Sequence, residues 1–235
     1  MISAKGIIFD YGGTIDTNGI HWGEVIWAQY QLAQVNISKE LFREAYVYGE
    51  RTLAKKPIIQ STHTFHDLLE IKIKIQFDYL HSQALQSVNN KKANIITKGC
   101  YSQVLETIKT TCNVVEEISK NRPTVLVTNF YGNMPVVLKE FSLDKYFDTI
   151  VESSVVGIRK PDPRLFALGV KAIGLPAEDI VIIGDSYRKD IAPARSLGCK
   201  AVWLKKICWE EESIEPGKEP TAIINNLKQL SEIIL

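Results

Sequence analysis

No apolar run in this 235-residue chain approaches the roughly 20 residues that a membrane-crossing helix needs, and Met1 to Asp10 lack the long apolar core of a signal peptide. A soluble, cytoplasmic protein is the expectation. Charge of one sign is missing too: 28 lysines and arginines nearly balance 27 aspartates and glutamates, so no global field draws the chain to nucleic acid or to an anionic membrane. Any anion must then be held by a local site. The four cysteines (Cys100, Cys112, Cys199, Cys208) form no C-x-x-C pair and have no histidine at zinc-ligand spacing, which argues against structural zinc. They read as reduced thiols, with Cys199 as core filler. Internal repeats and low-complexity tracts are absent.

What the chain does have is a rhythm of short apolar runs ending in polar residues. Ala4 to Phe9 stops at Asp10 and Gly12-Gly13, as a buried parallel strand ends in a tight loop. Thr124 to Thr128 runs into Asn129, Ile180 to Ile183 runs into Gly184-Asp185, and Lys200 to Leu204 continues the series. Helix-period stretches lie between them at Tyr131 to Phe141, Asp162 to Ile173 and Lys189 to Leu197. Strands alternating with helices predict an α/β fold, a Rossmann-like parallel sheet core covered by helices on both faces. Val25 to Val35, Leu41 to Leu53 and Phe65 to Leu80 break that rhythm with helical spacing and no buried strand. They predict an inserted all-α domain over residues 17–98, with 1–16 and 99–235 forming the core. The hinges are expected near Thr17 to Gly19 and Asn94 to Gly99. Trp27, Tyr30 and Phe77 read as the core of the insert, and Glu210-Glu211-Glu212 as part of a solvated loop.

In an open parallel sheet, ligands bind beyond the carboxyl ends of the strands, where Asp10, Thr128 and Asp185 stand. The surrounding residues fall into four ordered motifs: Phe9-Asp10-Tyr11-Gly12-Gly13-Thr14, Val125 to Asn129, Gly157-Ile158-Arg159-Lys160-Pro161-Asp162, and Gly184-Asp185-Ser186 followed by Asp190. This set, from about Gly6 to Leu204, resembles the haloacid dehalogenase-like hydrolases. The resemblance implies a nucleophilic Asp10 that accepts a phosphoryl group from a small phosphorylated metabolite, a phosphate monoester such as a sugar phosphate. It also implies Mg2+ held by Asp10, the Gly12 carbonyl, Asp185 and Asp190, in keeping with the preference of this hard ion for oxygen ligands. Thr128 and the Asn129 amide would donate to phosphoryl oxygens. Lys160 would hold the nucleophile and the phosphate, and Thr14 would shape the loop around metal and substrate.

One position departs from the pattern. Most phosphatases resembling this chain carry a second aspartate two residues after the nucleophile, as general acid-base, and here that residue is Gly12. Such a group contributes about 100- to 10,000-fold. Three readings accommodate the change: a phosphatase or related phosphoryl-transfer enzyme whose substrate has a good leaving group or whose acid comes from the cap or the substrate, a 2-haloacid dehalogenase, and a non-catalytic binding member. A mutase-like phosphotransferase also stays open, because another hydroxyl can resolve an aspartyl-phosphate as water does. The dehalogenase reading requires an arginine soon after the first motif, and none occurs between Thr14 and Phe42. The insert would act as a cap that excludes water and reads the substrate, with His21 and Trp22, just after the first hinge, as substrate-facing candidates.

Overall fold

The computed structural model describes residues 1–83 and 88–235; positions 84–87 of the expected insert lie outside the described residues. Six strands, β1 (Gly6–Phe9), β2 (Thr124–Thr128), β3 (Thr149–Glu152), β4 (Ile180–Gly184), β5 (Lys200–Leu204) and β6 (Ala222–Ile224), pair in parallel in the order β3-β2-β1-β4-β5-β6. The direction of winding reverses between β1 and β4, which opens a crevice at their carboxyl ends. Alternation along each strand serves two faces. Ile7, Phe9, Leu126 and Val181 turn to one hydrophobic cluster, and Ile8, Val125, Val127 and Ile182 to the other.

Nine helices accompany the sheet among the described residues: α1 (Trp22–Leu32), α2 (Lys39–Lys55), α3 (Phe65–Ser82), α4 (Asn90–Ser119), α5 (Met134–Glu140), α6 (Ser153–Val156), α7 (Arg164–Ile173), α8 (Ala192–Ser196) and α9 (Leu230–Ile233). The C-terminal half of α4, with α5 and α9, covers one face of the sheet, and α7 with α8 covers the other. The first three helices and the start of α4 pack on one another around Tyr30, Phe42 and Phe77, with the Tyr30 ring 4.9 Å from Phe42 and 5.6 Å from Phe77. Trp27 joins this cluster from its edge, 5.1 Å from Phe42.

The structure differs from the sequence expectation at four places. Asn94 to Gly99 is no loop but lies inside the unbroken 30-residue α4, and a Cβ on Gly99 would stand 2.0 Å from Gln29 Oε1, so this glycine admits α1 rather than bending the chain. Strand β3 was not expected, because Thr149–Glu152 is a short edge segment with its first residue exposed and lacks a strong apolar run. The helix expected over Lys189 to Leu197 divides into a wide π-type turn, Tyr187–Ile191, and the short α8. Finally, the segment after β5 is no free loop. Trp209 inserts between His21 and Tyr46, each 5.0 Å from its ring, under the Arg43 guanidinium, and Ile207 pairs with Ile20 at the first expected hinge.

Close packing of α7 on the sheet depends on Gly169, where a Cβ would meet Val127 Cγ2 at 2.6 Å and Ile8 Cδ1 at 3.1 Å. A Gly169→Val variant is expected to lose about 1–3 kcal/mol in denaturant unfolding, the usual cost of overpacking a filled core. An unchanged midpoint would mean that α7 sits further from β1 and β2 than described.

Candidate active site

The carboxyl ends of β1, β2 and β4 and the polar side of the insert enclose a cavity of about 970 Å3, lined by Asp10, Gly12, Thr128, Asn129, Lys160 and Asp185 among others. At its floor, the Lys160 ammonium stands between two carboxylates, 2.6 Å from Asp10 Oδ1 and 2.7 Å from Asp190 Oδ1. All three side chains are buried. The Thr14 hydroxyl donates to the other Asp10 oxygen at 3.0 Å, so both oxygens of the expected nucleophile are oriented.

Each group is brought in by local structure. Asp10 leaves β1 directly, its amide donating to the Ile183 carbonyl of β4. Lys160 comes from the loop before α7, and Asn129 clasps that loop from both sides: Asn129 Nδ2 donates to the Lys160 carbonyl at 3.1 Å, and Lys160 N donates to Asn129 Oδ1 at 2.9 Å. The π-type turn after β4 swings Asp190 inward, where its Oδ2 accepts from Ser186 N at 3.1 Å. Wide turns of this kind recur at functional sites. Glu212 accepts hydrogen bonds from the Tyr187 and Arg188 amides at 2.7 and 3.2 Å and from Ser186 Oγ, capping the turn. The expected solvated loop is thereby a brace for the segment that carries Asp190.

The donor set fits a hard divalent cation. Asp10, Asp185 and Asp190 each offer a carboxylate oxygen, and these atoms lie within 4.8 Å of one another. Among the described residues none donates a hydrogen bond to the Asp185 carboxylate. Gly13, at φ +93°, passes so close to it that a Cβ would sit 2.2 Å from Asp185 Oδ2. Burial pushes the Asp10 carboxyl up to about 6, against the pull of Lys160, and burial together with Asp190 and Asp10 raises Asp185 well above the usual carboxylate range. Carboxyls crowded in this way gain most from a cation with two charges.

The other expected residues fall in different places. Thr128 and Asn129 line the cavity, whereas Thr14 is fully buried with its hydroxyl committed to Asp10. His21 and Trp22 both reach the cavity wall. The His21 ring is nevertheless engaged as the cap of α1, with Nδ1 accepting from Gly23 N at 3.0 Å, and burial pushes its pKa down to about 4. It is neutral near pH 7 and is no reserve of protons there. Trp22 Nε1 donates to Asp16 Oδ2 at 2.9 Å, while Asp16 Oδ1 accepts from Gly13 N at 2.7 Å. Asp16 therefore ties the loop after β1 to α1. Sequence reasoning missed Glu50 on α2, Lys72 on α3 and Tyr131 after β2, which form a polar group on the insert side of the cavity. No motif marks them, because they meet only through the fold.

A family model for haloacid dehalogenase-like hydrolases matches residues 4–198, and the chain belongs to that family. It is 32% identical over 92 residues to a glyceraldehyde 3-phosphate phosphatase of Pyrococcus furiosus, covering 39% of this chain and 38% of that protein. A phosphoserine phosphatase of Thermus thermophilus is 34% identical over 88 residues, 37% of this chain and 34% of that protein. The matched stretches thus span little more than a third of these curated relatives. Among solved structures, a phosphatase from Thermococcus onnurineus aligns over 97% of both chains with a TM-score of 0.55 at 19% identity. An L-2-haloacid dehalogenase from Xanthobacter autotrophicus aligns over 99% of this chain and 98% of its own, with a TM-score of 0.60 at 13% identity. Phosphatase and dehalogenase share this fold, so the choice of chemistry rests on the site.

The raised carboxyls give a signed pH test. A carboxyl lifted in the folded protein stabilises it below its unfolded value of 3.8, and that contribution is lost as pH rises through about 6 for Asp10. Magnesium binding requires ionised ligands, so the rise in Tm on adding magnesium is expected to be larger at about pH 7.5 than at about pH 5, and to vanish in Asp185→Asn. Equal shifts at both pH values, or a shift that survives the substitution, would contradict this assignment.

Proposed function

We propose that the chain is a magnesium-dependent phosphate-monoester hydrolase acting on a small phosphorylated metabolite, with Asp10 as the nucleophile. The observation that carries this reading is the buried Asp10 carboxylate, oriented by Lys160 and Thr14, with the Asp185 and Asp190 oxygens within ion-binding reach. The phosphatase names of the sequence relatives support it. In this reading residues 1–16 and 99–235 make the catalytic core, and 17–98 make a cap over the cavity.

Asp10 attacks phosphorus as the P–O bond to the substrate's alcohol breaks, and water then cleaves the aspartyl-phosphate to release phosphate and restore the carboxylate, which splits one hard displacement into two easier ones. Lys160 offsets charge between the carboxylate and the incoming phosphate. The Thr128 hydroxyl and the Asn129 amide donate to phosphoryl oxygens as charge spreads over them. Asp10, the Gly12 carbonyl, Asp185 and Asp190 would hold magnesium, which supplies neutralisation between two anions. Asp10→Asn is expected to lower phosphate release by at least about a thousandfold with little change in Tm, since the side chain keeps its shape. Full turnover by that variant would end the proposal.

Gly12 leaves the departing oxygen without an acid two residues from the nucleophile, and both Asp16 oxygens already accept hydrogen bonds. Substrates with stable leaving groups are therefore favoured. A Cβ at Gly12 would meet nothing within 4 Å, so the loop has room for the missing carboxyl. Gly12→Asp is expected to fold normally and to narrow the rate gap between alkyl and aryl phosphates by about tenfold or more. An unchanged gap in this variant would show that another group already protonates the leaving oxygen.

A further inference from the structure

The insert side of the cavity carries an ion pair that the chemistry at Asp10 does not use. Lys72 Nζ lies 2.7 Å from Glu50 Oε1, and Tyr131 donates its hydroxyl to Glu50 Oε2 at 3.1 Å. The Lys72 side chain is only 8% exposed, and its ammonium stands over two aromatic rings, 5.9 Å from that of Trp22 and 5.6 Å from that of Tyr131. Burying such a pair is costly, and apolar residues of similar volume would stabilise the fold as well or better. A second fact points to a ligand. The Glu50 side chain keeps 33% of its surface exposed, and both members of the pair line the cavity, so the pair meets whatever enters it.

The chemistry of this group selects among ligands. Glu50 and Lys72 neutralise one another, so a second ionic group on the substrate would have to break the pair and leave one of its charges unmatched. A hydroxyl both donates and accepts, and so satisfies a carboxylate and an ammonium that stand side by side. The flanking rings of Trp22 and Tyr131 offer apolar surface to the C–H groups of a carbon chain. From the Glu50–Lys72 pair, its place on the cavity wall and the two rings, we infer that this group is the specificity subsite for a phosphate monoester whose carbon skeleton carries hydroxyls and no second charge. This inference rests on the phosphatase reading of the Asp10 site and names the class of substrate for it. Burial works to neutralise both members, but each holds the other charged: Glu50 stays below the usual carboxylate range and Lys72 above the usual range for lysine.

The test compares glycerol phosphate, 3-phosphoglycerate, which adds a single carboxylate, and p-nitrophenyl phosphate in magnesium. Wild-type protein is expected to prefer glycerol phosphate to 3-phosphoglycerate. In Glu50→Gln the ratio of kcat/KM for glycerol phosphate to that for p-nitrophenyl phosphate should fall about tenfold or more, mainly through KM, as expected for losing a hydrogen bond to a charged group. The double variant E50Q/K72M, which leaves no unmatched buried charge, guards against misfolding and should show the same fall. A preference for 3-phosphoglycerate, or a ratio that stays constant while both rates drop together, overturns the subsite. Calorimetric binding of glycerol phosphate to D10N and to D10N/E50Q separates the two readings. If no monoester is hydrolysed but the second variant binds about tenfold more weakly, the subsite stands and the phosphatase reading falls. Equal binding by the two overturns the subsite whatever the turnover.

Discussion

A single buried ammonium holds the site together. Asp10, Asp185 and Asp190 bring three carboxylates to within 4.8 Å of one another in a largely desolvated place, and Lys160 touches two of them. Removing that cation would leave like charges facing each other out of water, one of the most costly arrangements a fold can contain. Much of the surrounding structure serves to keep it there. Phe166 on α7 lies beneath the ammonium at 4.7 Å, and Asn129 at the end of β2 fixes the Lys160 backbone with two hydrogen bonds.

The sheet order explains why these groups can meet. Asp10 and Asp185 leave adjacent strands on either side of the winding reversal, so their side chains rise into one crevice without any long loop. The segment after β5 then links two parts that would otherwise be independent. Through Glu212 it caps the turn presenting Asp190, and through Trp209 it fills a gap in the insert that a side chain on Gly23 would close. Its position beside Ile20 means that the insert is joined to the sheet at three places: the loop after β1, the middle of α4, and this strap.

Strands β1, β2, β4 and β5 were legible because they obey local rules, and so was the meeting of Asp10, Thr128 and Asp185 at one end of the sheet. A buried parallel strand reads as an apolar run, and Asp10, Thr128 and Asp185 are the first polar residues at the ends of such runs or just beyond them. Lys160 could be picked from 20 other lysines and 7 arginines only by its motif, since nothing in composition separates a buried lysine from a surface one. What the sequence does not mark depends on contacts between distant positions. Glu50 and Lys72 are on different helices, Trp209 contacts residues more than 160 positions earlier, and Glu212 reads in sequence as one of three solvated acids, set apart only by its amide partners in the fold. The expected hinge in α4 failed for another reason: Gly99 resembles a break in sequence, but a helical glycine against Gln29 is a packing contact.

The central claim is that Asp10 carries the phosphoryl group covalently. The direct measurement is a rapid acid quench of the protein turning over a phosphate monoester labelled with radioactive phosphorus, followed by peptide mapping. The account predicts an alkali-labile label on the peptide containing Asp10, present only with magnesium. Phosphate release with no label on the protein, or with the label on another residue, would contradict it.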